Sequence, residues 1–273
     1  MTSTTVPDFE AIKTKQRTAW ESGDYPRVGN TLQLMAELLV EAADVRAGQK
    51  VLDVACGQGN AALAAARHFA EATGLDYAAN LLAQGRERAE AEHLVVTFTE
   101  GDAERMPFPD GSFDLTVSTV GAMFAPDHQR TADEIARVTA TGGTIALASW
   151  TPDSLVGHMF KLIGAWAPPP PGVRPPMLWG TPEHLADLFG GRVDWVGLTR
   201  REHVFRFHSP EHFSQWFRLY YGPITRLVGT LSAPDQARFA DELAGVARQF
   251  NRAEDGRLVA PSAYLEAVGV RRA

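Results

Sequence analysis

Residues 50 to 70 constrain the fold more than any other stretch. A short apolar strand, Lys50-Val51-Leu52-Asp53-Val54-Ala55, breaks into Cys56-Gly57-Gln58-Gly59-Asn60 and then into an alanine-rich helix reaching about Ala70. Small residues between strand and helix let the backbone approach a ligand, and the helix N-terminus offers free N–H groups. The stretch fits Gly-x-Gly-x-x-Ala with Asp76 ending the next strand to hold a ribose, which alone reads as a dinucleotide fingerprint. Asp53, a carboxylate inside the first strand just ahead of the glycines, argues against that. A pyrophosphate would be repelled there, whereas a ligand with a cationic amine and a sulfonium would be favoured.

The rhythm around this unit sets the architecture. A strand ends in Thr73-Gly74-Leu75-Asp76 and a helix runs from Ala79 to Glu92. Strands follow at Val95–Thr99 and Phe113–Ser118, then a helix from Asp127 to Thr139, then Gly142-Gly143 and a strand from Thr144 to Ser149. Strands alternating with helices predict a mostly parallel, doubly wound α/β sheet. After Trp150 the rhythm breaks. A helical piece from Asp153 to Trp166 meets the proline-rich stretch 167–176, which suits neither a helix nor an inner strand. Thr181-Pro182-Glu183-His184 reads as an N-cap with proline at the first helical position, opening a helix to about Phe189. A strand is expected from Val193 to Phe207, helices over 210–250, and a last, antiparallel strand from Ala263 to Val270. The expected division is a helical cap (1–45), a core (46–150), a proline-rich lid segment (151–180), a core continuation (181–208), a helical lid insertion (209–261) and the last core strand (262–273).

Composition narrows the function classes. The net charge of −7, with basic residues scattered, speaks against a nucleic-acid partner. A single cysteine, Cys56, excludes an internal disulfide or a cysteine-based metal cluster, and no other metal-ligand cluster is recognisable, so no metal is expected. No apolar run approaches the twenty or so residues of a membrane span. Met1 to Glu10 has no apolar segment of the signal-peptide kind, so a cytoplasmic location is expected.

Three acids stand at three successive strand ends: Asp53, Asp76, and Asp102 within Gly101-Asp102-Ala103. Asp76 is placed to accept both hydroxyls of a ribose. Asp102 can accept from an adenine amino group while the following N–H serves a ring nitrogen. With the glycine loop in this order they form a coherent nucleoside site.

At these residues the chain resembles the class I S-adenosylmethionine-dependent methyltransferases. The matching motifs are Val51–Gly59, Thr73–Asp76, Glu100–Phe108 (Glu-Gly-Asp-Ala-Glu-Arg-Met-Pro-Phe), Gly111–Asp114, and Glu134–Val138 with Gly142-Gly143. The nearest branch is the UbiE-like, ubiquinone/menaquinone-type group, and the likeness covers about residues 46 to 150. It implies a Rossmann-like fold with S-adenosylmethionine as cofactor. The methionine end would lie near Asp53, Ala55, Gly57, Gly59 and Val120, the ribose and adenine near Asp76 and Tyr77, and the adenine near Asp102 and Ala103. Two departures stand out. Ala55 replaces the usual first glycine of the loop, a change small enough to be tolerated. Phe124 in Met123-Phe124-Ala125-Pro126-Asp127 stands about where many quinone-type relatives carry a histidine, so quinone methylation is not inherited with the motif.

No catalytic residue is identifiable, because in-line transfer from a sulfonium can run on alignment and dehydration of the acceptor. Trp20, Tyr25, Trp216, Tyr220 and Tyr221 are the candidates for acceptor contact. Trp20 precedes a turn that contains Tyr25, and the other three fall in an aromatic stripe at helical spacing that reads first as helix packing and otherwise as a pocket wall. His128, beside Asp127 at an expected helix start, is explained by capping. The expected function is methylation of a small apolar or aromatic molecule. The alternatives are an NAD(P)-dependent oxidoreductase and a catalytically silent cofactor-binding regulator.

Overall fold

The computed structural model describes residues 7–273; residues 1–6, which begin the expected cap and carry part of the polar N-terminal stretch, lie outside them. Three helices open the chain: α1 (Phe9–Glu21), α2 (Tyr25–Thr31) and α3 (Gln33–Ala42). The core follows as β1 (Lys50–Val54), α4 (Asn60–Arg67), β2 (Glu71–Asp76), α5 (Ala79–Ala91), β3 (Val96–Glu100), β4 (Phe113–Thr119), α6 (His128–Val138) and β5 (Thr139–Trp150). Then come α7 (Leu155–Trp166), α8 (Pro182–Phe189), β6 (Val193–Phe207), α9 (Pro210–Tyr220), α10 (Gly222–Gly229), α11 (Ala233–Gln249) and β7 (Leu258–Arg271).

The seven strands form one sheet in the order β3-β2-β1-β4-β5-β7-β6. The first five are parallel, and β7 inserts antiparallel between β5 and β6. The chain winds outward from β1 to β3, then returns to the other side of β1 at β4. That reversal opens a crevice beyond the carboxyl ends of β1 and β4, where ligands of open α/β sheets bind. β1 is buried along all but its first residue, as expected of a central parallel strand covered on both faces.

Local chemistry explains the helix starts. The Asp127 side chain accepts from Arg130 N–H at 3.0 Å, and Ser154, Ser209 and Ser232 cap α7, α9 and α11 in the same way. Proline occupies the first turn of α8, α9, α10 and α11, where its missing N–H costs nothing.

Two boundaries differ from the sequence reading. β5 begins at Thr139, not beyond Gly142-Gly143: its register on β4 jumps from Phe113↔Thr139 to Leu115↔Thr144. The double glycine is therefore a bulge inside the strand. Gly142 takes φ 79°, and a Cβ on Gly143 would lie 2.7 Å from the Asp114 carbonyl oxygen. β7 begins at Leu258 because β6 offers it a partner along its whole length, from Phe207↔Leu258 to Val193↔Arg271.

The helices outside the α/β rhythm pack on one another. α1 touches α10, α2 touches α9, and α11 packs against α9 and α7. No described helix is long and apolar enough to cross a membrane.

Candidate functional site

Where β1 ends, the chain turns through two left-handed residues, Ala55 at φ 53° and Gly57 at φ 54°, before Gly59 at φ 81° starts α4. Ala55, the residue in place of the usual glycine, therefore adopts the glycine-like conformation, at a cost of roughly 1–2 kcal/mol. Across the crevice Val120, just past β4, is also left-handed at φ 48°, an uncommon state for a β-branched side chain and one that gathers at ligand sites. Gly121 allows the two loops to meet: a Cβ there would lie 2.2 Å from the Ala55 carbonyl oxygen.

These loops floor a cavity of about 560 Å³ bordered by Ala55, Gly57, Asp76, Tyr77, Asp102 and Ala103, with Val120 on its far side. A smaller chamber of about 340 Å³ continues past Tyr25 to Asp53, Gln58, Asn60 and Thr119. Each expected cofactor residue except Gly59 thus borders one of two adjoining spaces. Gly59 serves from behind, since a Cβ there would lie 2.7 Å from the Phe98 ring.

The electrostatics suit a cation. Asp53 is 2% exposed, with Ala62 N–H donating to its Oδ2 at 3.0 Å. Burial, reinforced by nearby Asp76, pushes its carboxyl up to about 7. Asp76 is held by Gly57 N–H on one oxygen and Ala78 N–H on the other, both at 2.8 Å. Its pKa is raised by burial against those bonds, and each oxygen keeps a lone pair for a ligand hydroxyl. The Thr119 hydroxyl is buried without a hydrogen-bond partner in the Asp53 chamber. Two desolvated carboxylates and an orphaned hydroxyl in two adjoining spaces fit a ligand bringing an ammonium, a sulfonium and ribose hydroxyls.

Asp102 comes with a partner that the sequence did not suggest. Lys13 on α1 donates to Asp102 Oδ2 at 2.5 Å and pairs with Glu104 at 3.0 Å and Glu10 at 2.8 Å. Burial alone would lower the Lys13 pKa, but its three carboxylate partners raise it instead. One turn on, Arg17 reaches Glu100 at 2.8 Å. The only trace in the sequence is a spacing match. Basic residues at i and i+4 on α1 meet acids at 100, 102 and 104, and nothing local links segments so far apart.

A third space, about 360 Å³, opens beside the first and shares Trp20, Tyr25, Val120 and Phe124 with it. Its remaining wall includes Trp150, Phe205, Phe217 and Tyr221. Trp20 is the hub, with ring centroids 5.5 Å from Tyr25, 5.2 Å from Phe124 and 5.6 Å from Tyr221. Of the five candidates for acceptor contact, the structure brings together Trp20, Tyr25 and Tyr221. Trp216 and Tyr220 occupy another face of α9: Trp216 packs on Phe207, and Tyr220 stacks under the Arg27 guanidinium at 4.8 Å. Phe213 and Phe217 take the inward face instead. His128 hydrogen-bonds His184 at 2.9 Å, away from these spaces, while Asp127 does the capping.

Comparison with known proteins agrees with this geometry. Residues 52–147 match the methyltransferase domain family. An uncharacterized protein of Mycobacterium tuberculosis is 38% identical over 224 residues, 81% of each chain. The demethylmenaquinone methyltransferase of Thermus thermophilus is 37% identical over 41% of this chain and 52% of its own. Among solved structures, the YcgJ protein from Bacillus subtilis shares the fold with a TM-score of 0.60 at 21% identity, covering 90% of this chain and 99% of that one. The chain belongs to the class I S-adenosylmethionine-dependent methyltransferases. Its cofactor is accordingly S-adenosylmethionine, and neither the oxidoreductase nor the silent-regulator reading is favoured.

Proposed function

We propose that this enzyme methylates a small apolar or aromatic molecule held in the space walled by Trp20, Phe124, Phe217 and Tyr221. The observation that carries this reading is the shared wall: Trp20, Tyr25, Val120 and Phe124 line both the aromatic cavity and the Asp76 cavity. Bound S-adenosylmethionine supplies an activated methyl group on a cationic sulfur. Asp53 and Thr119 would receive the methionine ammonium end, and Asp76 the ribose hydroxyls. Tyr77, Asp102 and Ala103 would border the adenine, with Lys13 neutralising the acids around it. Ala55, Gly57, Gly59 and Val120 shape the floor on which sulfur and acceptor meet. Trp20 and Tyr25 exclude water from that meeting point, which favours dispersal of the sulfonium charge.

The narrower quinone-type branch draws support from the Thermus relative. A malonyl-[acyl-carrier protein] O-methyltransferase of Erwinia billingiae is as close, 37% identical over half of each chain, and Phe124 lies in the acceptor wall. These likenesses support the cofactor core more than any one acceptor. Calorimetry should find micromolar binding of S-adenosylmethionine and its demethylated product and none of NAD(P)H. Transfer of labelled methyl to aromatic acceptors then tests the acceptor reading; binding without transfer to any of them would count against it.

A further inference from the structure

We infer that the acceptor is an uncharged lipophilic amine, methylated on nitrogen, with the aromatic cavity serving as a cage for the cation that the transfer creates. This rests on the reading of that cavity as the acceptor site. Every side chain lining it, among the described residues, is uncharged. Its polar atoms are indole N–H groups and the phenols of Tyr25 and Tyr221. Both phenols are held neutral by burial, and neighbouring negative charge raises Tyr25 further. Neither therefore offers a base at ordinary pH. No imidazole lines the space among the described residues; His203 packs from outside against the Trp150 and Phe205 rings at 6.1 and 4.6 Å. Burial holds His203 down at about 4, so it is also a poor proton acceptor.

These facts sort acceptors by charge. A phenol or carboxylic acid must lose a proton to become a good nucleophile, and the resulting anion would be desolvated among aromatic rings. An amine free base needs no base. Its nitrogen lone pair forms the N–C bond while the C–S bond of the cofactor breaks and its electron pair goes to sulfur. The nitrogen keeps its proton, so the unit positive charge moves from sulfur to nitrogen, and the proton leaves to water after release. Charge is conserved and carried into a space walled by Trp20, Tyr25, Phe124 and Tyr221, whose ring quadrupoles attract cations. The oxygen of Tyr25 or Tyr221 can accept the amine N–H and turn the lone pair toward the donor.

Matched naphthalene compounds bearing a methylaminomethyl, hydroxyl or carboxylate group test this by activity and by binding. With labelled S-adenosylmethionine the amine should be methylated, its rate rising with pH along the amine's own free-base fraction. The His203→Phe variant should behave likewise. In the complex with demethylated cofactor, a naphthylmethyl-trimethylammonium ion should bind about 3- to 30-fold tighter than its neutral tert-butyl isostere, read by quenching of tryptophan fluorescence. Tyr221→Leu should erase that preference, and Trp20→Leu provides the same test should the first variant not fold. Methylation of the naphthol well below its own pKa, loss of transfer in His203→Phe, no transfer to the amine, or equal binding of cation and isostere would each overturn the assignment. Absence of cofactor binding would instead bring down the functional reading beneath it.

Discussion

At Asp53 two needs oppose each other. Burial and Asp76 push its carboxyl up to about 7, so on the proposed placement a cationic ligand would displace a proton that the cofactor-free protein holds near neutrality. The bound state favours the carboxylate, so affinity for S-adenosylmethionine should be level above pH 8. It should fall up to tenfold per unit as pH drops below 7, measurable by calorimetry in buffers of different ionisation heat. Folding stability takes the opposite slope. Between about 4, where the unfolded carboxyl titrates, and about 7, the folded state binds a proton that the unfolded state has lost. Stability of the free protein therefore declines as pH rises through that window. Asp53→Asn should then stabilise the free protein at pH 8 by roughly 0.5–2 kcal/mol, read as a higher melting temperature, while weakening cofactor binding. A variant that binds normally would remove Asp53 from the methionine end. Asp76→Ala should weaken the cofactor by about 1.5–3 kcal/mol, the range for hydrogen bonds to a charged group; unchanged affinity in the folded variant would refute the ribose assignment. These acids were legible in the sequence because each stands at a strand end in a fixed order. The orphaned Thr119 hydroxyl was not, since only the fold decides which β4 side chain meets the crevice.

The helix α1 matters because of what it is tied to. Lys13 and Arg17 hold it to Asp102, which borders the Asp76 cavity, and to Glu104 and Glu100. Exposed pairs such as Arg17–Glu100 contribute little, but the Lys13 side chain is only 14% exposed and has three carboxylate partners. Lys13→Met should speed release of demethylated cofactor in stopped-flow measurements and flatten the salt dependence of that rate; an unchanged rate would mean that α1 does not gate the cavity. Local patterns gave most elements closely. β6 runs from Val193 to Phe207 as its composition predicts, and α8 starts behind its Thr181-Pro182 signal. The misses have a common cause. Gly142-Gly143 reads as a stop, yet pairing with β4 on one side and β7 on the other carries β5 through it; β7 is likewise lengthened by its long partner. Tertiary pairing, which no window of sequence contains, settled both ends.

Across the whole molecule, the aromatic residues after position 209 divide by helix face, which the spacing alone did not resolve. Tyr221→Ala should raise the acceptor's Michaelis constant about tenfold or more with little change in cofactor affinity. Tyr220→Ala, under Arg27 and outside the cavity, should leave both nearly unaltered. Steady-state kinetics on the pair decides whether the wall or the stripe matters. Trp20 and Tyr25 border both cavities and come from the first twenty-five residues of the chain. On the proposed placement of donor and acceptor, the same short segment borders both. If that segment must move for either to pass, it acts as a shared door, and the expected traffic is a compulsory order with the cofactor first in and last out. Product inhibition should show that compulsory order, with demethylated cofactor competing against S-adenosylmethionine alone. The ceiling on turnover would then be set by how often the door opens, so that temperature and salt, acting on α1, would govern the speed of an enzyme whose chemistry lies elsewhere.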